Sequence, residues 1–148
     1  MTTFDRRLDS ARIALKVGFG VGPFLAGLDK YFNLLTNWPH YVSPLAAAVL
    51  PVSPQTFMYV VGITEMIVGL AVLTRWTRIG SYVAMVWLAC IAANLVAAGL
   101  FDIAVRDLEM AIAAYTLARL TEVQEAAAYI ADSATGGTSQ PARIHAAA

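Results

Sequence analysis

The sequence predicts an all-α protein, a bundle of four transmembrane helices with both termini in the cytoplasm. The chain of 148 residues is 59% hydrophobic and only 14% charged, whereas soluble domains average about 25% charged residues. A soluble chain of this length leaves too much of its surface in water to hide so many apolar side chains. Its mean hydropathy of +0.64 is therefore best explained by a surface that faces lipid.

Four apolar segments account for the predicted spans, because a helix needs about 20 mostly apolar residues to cross the hydrocarbon core. They lie at about 11–35, 55–74, 79–99 and 103–120, which together form a membrane domain of residues 11–120. The third segment has no charge, and the second carries only Glu65. Apart from Arg12 and Arg119 near their cytoplasmic ends, the first and fourth segments contain six charges, Lys16, Asp29, Lys30, Arg106, Asp107 and Glu109.

The remaining parts of the chain are predicted as flanks and connections. Residues 1–10 form a cytoplasmic flank, and the proline-rich stretch 36–54 contains a short apolar piece, 45–50, that fits an interfacial or re-entrant turn. Residues 121–131 continue the fourth helix as an amphipathic extension. Its apolar face comprises Leu120, Val123, Ala127 and Ile130. Residues 132–148, rich in small and polar residues, are predicted to be a disordered tail.

The distribution of basic residues predicts the orientation. Lys and Arg flanking the spans concentrate on one side, which is the cytoplasmic side by the positive-inside rule. These residues are Arg6, Arg7, Arg12, Arg75, Arg78, Arg119 and Arg143. The two other connections carry no Lys or Arg, and an even number of spans returns both termini to the same side. The expected location is a bacterial inner membrane, in a multi-pass arrangement.

Several classes of function are disfavoured by composition. A formal net charge of zero provides no basic field for nucleic acid. One cysteine, Cys90, excludes a disulfide framework, and we expect it to be an inert part of the core. No metal site and no covalently bound cofactor is predicted. Gly18 and Gly22 are interpreted as a small-residue face for helix packing, not as part of a nucleotide-binding loop.

Polar residues converge in the outer half of the predicted bundle. Glu65 is expected about 15 Å deep, near the midplane, and each of the other three helices adds polar groups at or above that depth. These are Asp29, Lys30, Asn94, Arg106, Asp107 and Glu109. Charges in a span cost about 2.5–3.5 kcal/mol each and normally face partners inside the bundle. Two interpretations stay open: the charges hold the helices together, or they line a polar pocket for a ligand, a quinone or a proton path.

At this point the sequence resembles the DoxX family of small four-helix bacterial membrane proteins. The resemblance rests on Gly27–Phe32 at the end of the first helix, on Glu65 with Gly69 in the second, and on Arg106-Asp107-Leu108 at the start of the fourth. It covers about residues 10–120. It implies quinone-coupled oxidation of sulfur compounds such as thiosulfate, or a role in membrane complexes that handle oxidative or thiol stress. Many members have no assigned activity.

The leading hypothesis is a DoxX-like membrane component of a quinone-linked redox or detoxification system, with quinone as its possible cofactor. Glu65 is the candidate catalytic, proton-active residue, while Lys30 and Arg106 would bind an anionic or carbonyl-bearing ligand. The other candidate ligand-binding residues are Asp29, Asn94, Asp107 and Glu109. The alternatives are a non-enzymatic subunit or assembly partner of a larger complex, a homo-oligomer included, and a small-solute transporter. Whether Arg106 pairs with Glu65 or with Asp102 is left open.

Overall fold

The computed structural model describes the backbone of residues 3–136 and the side chains of residues 6–134. The described part is all-α and contains no strand, which confirms the all-α part of the prediction. Five helices are formed, α1 (Thr3–Asp29), α2 (Pro44–Val49), α3 (Pro54–Leu73), α4 (Thr77–Ala97) and α5 (Phe101–Gly136), with a 3₁₀ turn at Trp38–Tyr41. Three stretches are long and apolar enough to cross a membrane: Arg6–Asp29, Pro54–Leu73 and Thr77–Ala97.

The starts of α2 and α3 follow directly from the sequence. Each is preceded by a serine followed by proline, a pair that provides a capping hydroxyl and a residue with a preset φ at the first helical position. Ser43 accepts a hydrogen bond from the Ala46 amide at 3.1 Å, and Ser53 accepts one from the Thr56 amide at 3.2 Å. Gly99, at φ +77°, turns the chain between α4 and α5, a conformation that glycine adopts without strain.

Helix α1 begins earlier and ends earlier than predicted, at Thr3 and Asp29 in place of about 11 and 35. It ends early because the Asp29 carboxylate accepts the backbone N–H groups of Leu34 and Leu35, at 3.1 and 3.0 Å, and thereby holds the chain in a turn. Asn33 adopts a positive φ of 51° in this turn. Such local competition for backbone donors is what makes Asp unfavourable within helices.

Helix α5 combines two predicted elements, since it runs without a break through the fourth segment and the amphipathic extension. Residues 132–136, predicted as part of a disordered tail, are helical. The rest of that predicted tail, residues 137–148, lies outside the described residues.

The long helices pack as two intimate pairs, α1 with α3 and α4 with α5. The pairs join mainly through α3 and α4, with a smaller contact between α1 and α5. We call the end with residues 30–53 and the α4–α5 turn the loop end, and the end with the α3–α4 turn at 74–76 the turn end. Val72, Ala114, Leu117 and Ala118 are completely buried between the pairs. Large apolar side chains cover much of the outside, as a lipid-facing surface requires.

Glycines set the close contact between α1 and α3. A Cβ on Gly27 would collide with the backbone oxygen of Gly62, and one on Gly69 would lie 2.5 Å from the backbone oxygen of Gly20. The two helices therefore cross with their backbones touching, as small residues permit in membranes. The prediction that Gly18 and Gly22 form this face was wrong, because nothing lies within 4 Å of either position. The packing face lies on Gly20 and Gly27 of the same helix.

Replacing Gly27 with alanine is expected to destabilise the protein by about 1–3 kcal/mol, the range for overpacking a well-filled interior. The added methyl group would force α1 away from the Gly62 backbone, which has no flexible side chain to move. The measurement is unfolding of the purified protein in mixed micelles as a denaturing detergent is titrated.

Gly18→Ala is the matched control, because it makes the same chemical change on the same helix in open space. Its stability should stay unchanged or rise slightly, since alanine favours helix over glycine. Equal losses in the two variants would contradict the proposed contact.

A buried ion pair at the loop end as the candidate functional site

Lys30 and Glu65 form a buried ion pair between α1 and α3, with Nζ 2.5 Å from Oε2. Their side chains are 3% and 11% exposed. Lys30 follows the last residue of α1, and its stem passes the bare backbone of Gly62 on the way to Glu65. The lysine ammonium also lies 3.5 Å from the carbonyl oxygen of Ala26. A charge near the middle of α3 is thus compensated by a residue from the end of its neighbouring helix.

Trp38 closes the site on the side of the loop end. The ammonium of Lys30 lies 3.7 Å from the centroid of its ring, a cation–π contact. The indole Nε1 donates a hydrogen bond of 2.8 Å to Asp29, the carboxylate that also terminates α1. Asp29 therefore positions Trp38 over Lys30, and its own oxygens are occupied by backbone and indole donors. Asp29 was predicted to bind a ligand, but its carboxylate binds groups of the protein itself.

Asp107 of α5 is the third member of the cluster. It is 6% exposed and interacts electrostatically with both Lys30 and Glu65. The Lys30 ammonium is paired with Glu65, and the carboxylate of Asp107 is paired with the guanidinium of Arg106 at 3.4 Å. The cluster therefore contains two carboxylates and two cations, and of the two cations only the guanidinium is largely exposed.

Arg106 pairs with neither of the partners considered for it. Its guanidinium lies 3.4 Å from the adjacent Asp107, and its side chain is 65% exposed while that of Asp107 is 8% exposed. Consecutive helix residues point in different directions, so the buried position of Asp107 places Arg106 on the outside. Arg106 consequently lies at the edge of the cluster, and its guanidinium reaches back toward the carboxylate.

The two other predicted site residues lie away from the ion pair. Asn94 holds the connection that follows α1. Its side-chain amide donates to the backbone carbonyl oxygen of Tyr41 at 2.7 Å and accepts from the backbone N–H of Ser43 at 3.1 Å. Glu109 is exposed and makes no hydrogen bond or ion pair with the residues of 6–134. The structure thus brings together Lys30, Glu65 and Asp107, with Asp29 acting through Trp38.

An apolar groove lies between α4 and α5. Its volume is about 530 Å³, and its walls are five side chains of α4 between Met85 and Ala93 and four of α5 between Leu108 and Tyr115. Cys90 is exposed in this groove and not part of the core as predicted. Asp107 directly precedes the lining residue Leu108. Lys30, Glu65 and Asp107 do not line the groove.

Trp38 is the residue of the site that sequence reasoning missed. In the sequence it resembles an ordinary aromatic residue of the membrane surface, and its contact with Lys30 depends on how the chain folds back after α1. Two features of the sequence pointed to it: a lysine at the end of an apolar segment, and a tryptophan in the loop that follows. Neither feature gives the distance between the lysine and the tryptophan in the folded protein.

Removing one member of the buried pair is expected to be far more costly than removing both. Glu65→Gln leaves the Lys30 ammonium without its carboxylate, and breaking a buried pair in this way costs about 3–5 kcal/mol. Lys30→Met should cost a similar amount, because it leaves the buried Glu65 carboxylate without its cation. The measurement is the free energy of unfolding in mixed micelles.

The double variant Lys30→Met/Glu65→Gln provides the control, since it removes both charges and keeps similar volumes. We expect it to be more stable than either single variant. Additive losses would mean that the two groups do not interact in the folded protein.

Comparison with known proteins finds no relative of this chain. No protein-family model, no curated protein and no solved structure matches it.

Proposed function

We propose that the chain crosses a bacterial inner membrane four times, with α5 as the fourth span and both termini in the cytoplasm. Two observations support this topology. Helix α5 packs along α4 over most of the length of α4. Its first half also exposes large apolar side chains toward the outside, with Val105 57% and Ile112 61% exposed. Within this stretch Asp107 is buried, as expected of a charge in a span, whereas Glu109, two residues further along α5, is exposed.

Cysteine accessibility tests the topology. In a Cys90→Ala background, His40→Cys at the loop end should react with a membrane-impermeant maleimide added to intact cells. Ser133→Cys, in the exposed part of α5, should react only after the cells are opened. Both native residues are exposed, so burial does not bias the comparison. Equal labelling of the two positions from outside would contradict an even number of spans.

The functional proposal is a DoxX-like membrane component of a quinone-linked redox or oxidative and thiol-stress detoxification system. The observation that carries it is the buried cluster of Lys30, Glu65 and Asp107, with two carboxylates and one ammonium at membrane depth. Ionisable residues inside a membrane domain are costly and usually functional. In this proposal Glu65 and Asp107 exchange a proton, Lys30 keeps the remaining charge compensated, and Trp38 shields the pair at the loop end.

The groove between α4 and α5 fits an isoprenoid quinone by size and chemistry. It is open toward the bilayer side of the bundle, lined by apolar side chains, and large enough for part of a lipid-soluble molecule. A bound quinone would supply the two-electron, two-proton chemistry, as redox cofactors do. The apolar residues of the groove would bind it, and Asp107, which does not line the groove, would hold a proton inside the bundle.

Quinone content of the purified protein tests this proposal. We expect protein extracted gently from its native membrane to contain quinone in stoichiometric amounts, as measured by mass spectrometry. Ala93→Phe, which fills the groove, should reduce the content at least about tenfold, the effect of losing about 1.4 kcal/mol of binding free energy. Glu65→Gln should retain quinone and lose quinone-dependent oxidation of thiosulfate or of a small thiol.

Ala97→Phe is the matched control, because Ala97 is exposed at the end of α4 and does not line the groove. It should leave the quinone content unchanged. Background quinone in the native protein would contradict the proposal. So would a Glu65→Gln variant with unchanged activity and stability.

A second candidate function is that of a non-enzymatic subunit of a membrane complex. The observation that favours it is the C-terminal part of α5, where Val123, Tyr129 and Ile130 are 63%, 75% and 68% exposed. Of the predicted apolar face, Leu120 is half-buried and the other three residues are exposed. This reading predicts that Glu65→Gln weakens folding or association and that no quinone is bound.

A further inference from the structure

A small cleft of about 220 Å³ lies at the turn end of the bundle, away from the ion pair. It is lined by Arg75, Trp76, Arg78 and Ile79 from the α3–α4 turn and the start of α4, and by Glu125 of α5. The cleft therefore joins two guanidinium groups, one carboxylate and two large apolar side chains within one opening.

The positive charge of the cleft exceeds its negative charge by one. Arg78 donates to Glu125 at 2.9 Å, and both side chains are about half exposed. Arg75 forms no ion pair or side-chain hydrogen bond with the residues of 6–134. Other basic residues near this end differ, because Arg12 and Arg119 are paired with Asp9 and Glu122 of their own helices. Arg75 thus provides an available guanidinium beside a second one.

The apolar side of the cleft continues into the outer surface of the helices. Trp76 is 53% exposed and Ile79 is 52% exposed. Tryptophan is the residue most typical of the boundary between the hydrocarbon core and the headgroups. Lys16, which donates to the Thr74 carbonyl oxygen at 3.1 Å, lies at the same level, as a lysine near the end of a span does. The guanidinium groups therefore lie where lipid headgroups would be.

We propose that this cleft binds the phosphate group of an anionic phospholipid. Arg75 would take the phosphate, Arg78 would share it with Glu125, and Trp76 and Ile79 would pack against the glycerol and the first part of an acyl chain. Arginine suits phosphate because its planar fork forms two parallel hydrogen bonds. Basic pockets between helices at the membrane surface bind anionic headgroups on the same grounds. The proposal is independent of any quinone chemistry.

Native mass spectrometry of the full-length protein in a neutral detergent tests the proposal, with phosphatidylglycerol and phosphatidylcholine added separately. We expect phosphatidylglycerol to remain bound to the native protein and phosphatidylcholine to bind weakly. Arg75→Gln should reduce phosphatidylglycerol binding about fivefold, because one basic residue contributes on the order of 1 kcal/mol to such binding.

Arg119→Gln is the matched control, since it removes the same charge from an exposed arginine outside the cleft. It should change phosphatidylglycerol binding less than twofold. Arg75→Lys keeps the charge without the planar fork and should recover part of the binding, which separates loss of the site from loss of the fold. Equal losses in Arg75→Gln and Arg119→Gln would overturn the proposal. They would indicate that the lipid is attracted by the overall positive charge of this end and does not bind in the cleft.

Inorganic phosphate distinguishes a lipid from a soluble ligand. We expect excess phosphate or glycerol 3-phosphate to leave phosphatidylglycerol bound, because neither contacts Trp76 or Ile79. Complete displacement by either anion would overturn the assignment to a lipid, as would equal binding of phosphatidylcholine and phosphatidylglycerol.

Discussion

A carboxylate in the middle of an apolar helix requires a partner, and in this protein the partner comes from the end of another helix. Glu65 meets Lys30 at 2.5 Å, and much of the loop end is arranged around that contact. The ammonium reaches Glu65 because Gly62 leaves space for the lysine stem, and because Gly27 lets α1 approach the backbone of α3. The ion pair therefore depends on residues that have no side chain at all. A buried pair of this kind is costly to form and more costly to break, which ties the geometry of α1 to that of α3.

The same pair explains the chain that follows α1. Lys30 needs shielding toward the loop end, and Trp38 provides it with its ring while its indole N–H is held by Asp29. Asp29 ends the helix by accepting the amides of Leu34 and Leu35. One carboxylate thus terminates α1, folds the chain back and positions the aromatic ring. Asn94 secures the next part of the same segment by its two bonds to the backbone at Tyr41 and Ser43.

Polar groups of the two ends differ in character, and the difference bears on function. At the turn end, ion pairs such as Arg78–Glu125 are about half exposed and resemble ordinary surface pairs, which contribute little stability. At the loop end, Lys30, Glu65 and Asp107 are buried. Buried carboxylates that interact with other charges are where proton-active chemistry is expected. The proposals for the two ends follow this division, with a proton-holding cluster in one and a headgroup site in the other.

Composition and apolar segment length determined the helical fold class and the approximate position of every long helix, because the bilayer requires runs of a minimum length. The sequence also identified Lys30, Glu65 and Asp107 as unusual, since charges in apolar segments are conspicuous. It could not decide their partners. Arg106 precedes Asp107 in the chain, yet only the rotation of α5 in the bundle buries one and exposes the other. Likewise, Gly18 and Gly20 look equivalent in the sequence, and only the direction in which α1 faces α3 makes Gly20 the packing residue. Periodicity specifies which residues share a face, whereas the tertiary structure decides what each face meets.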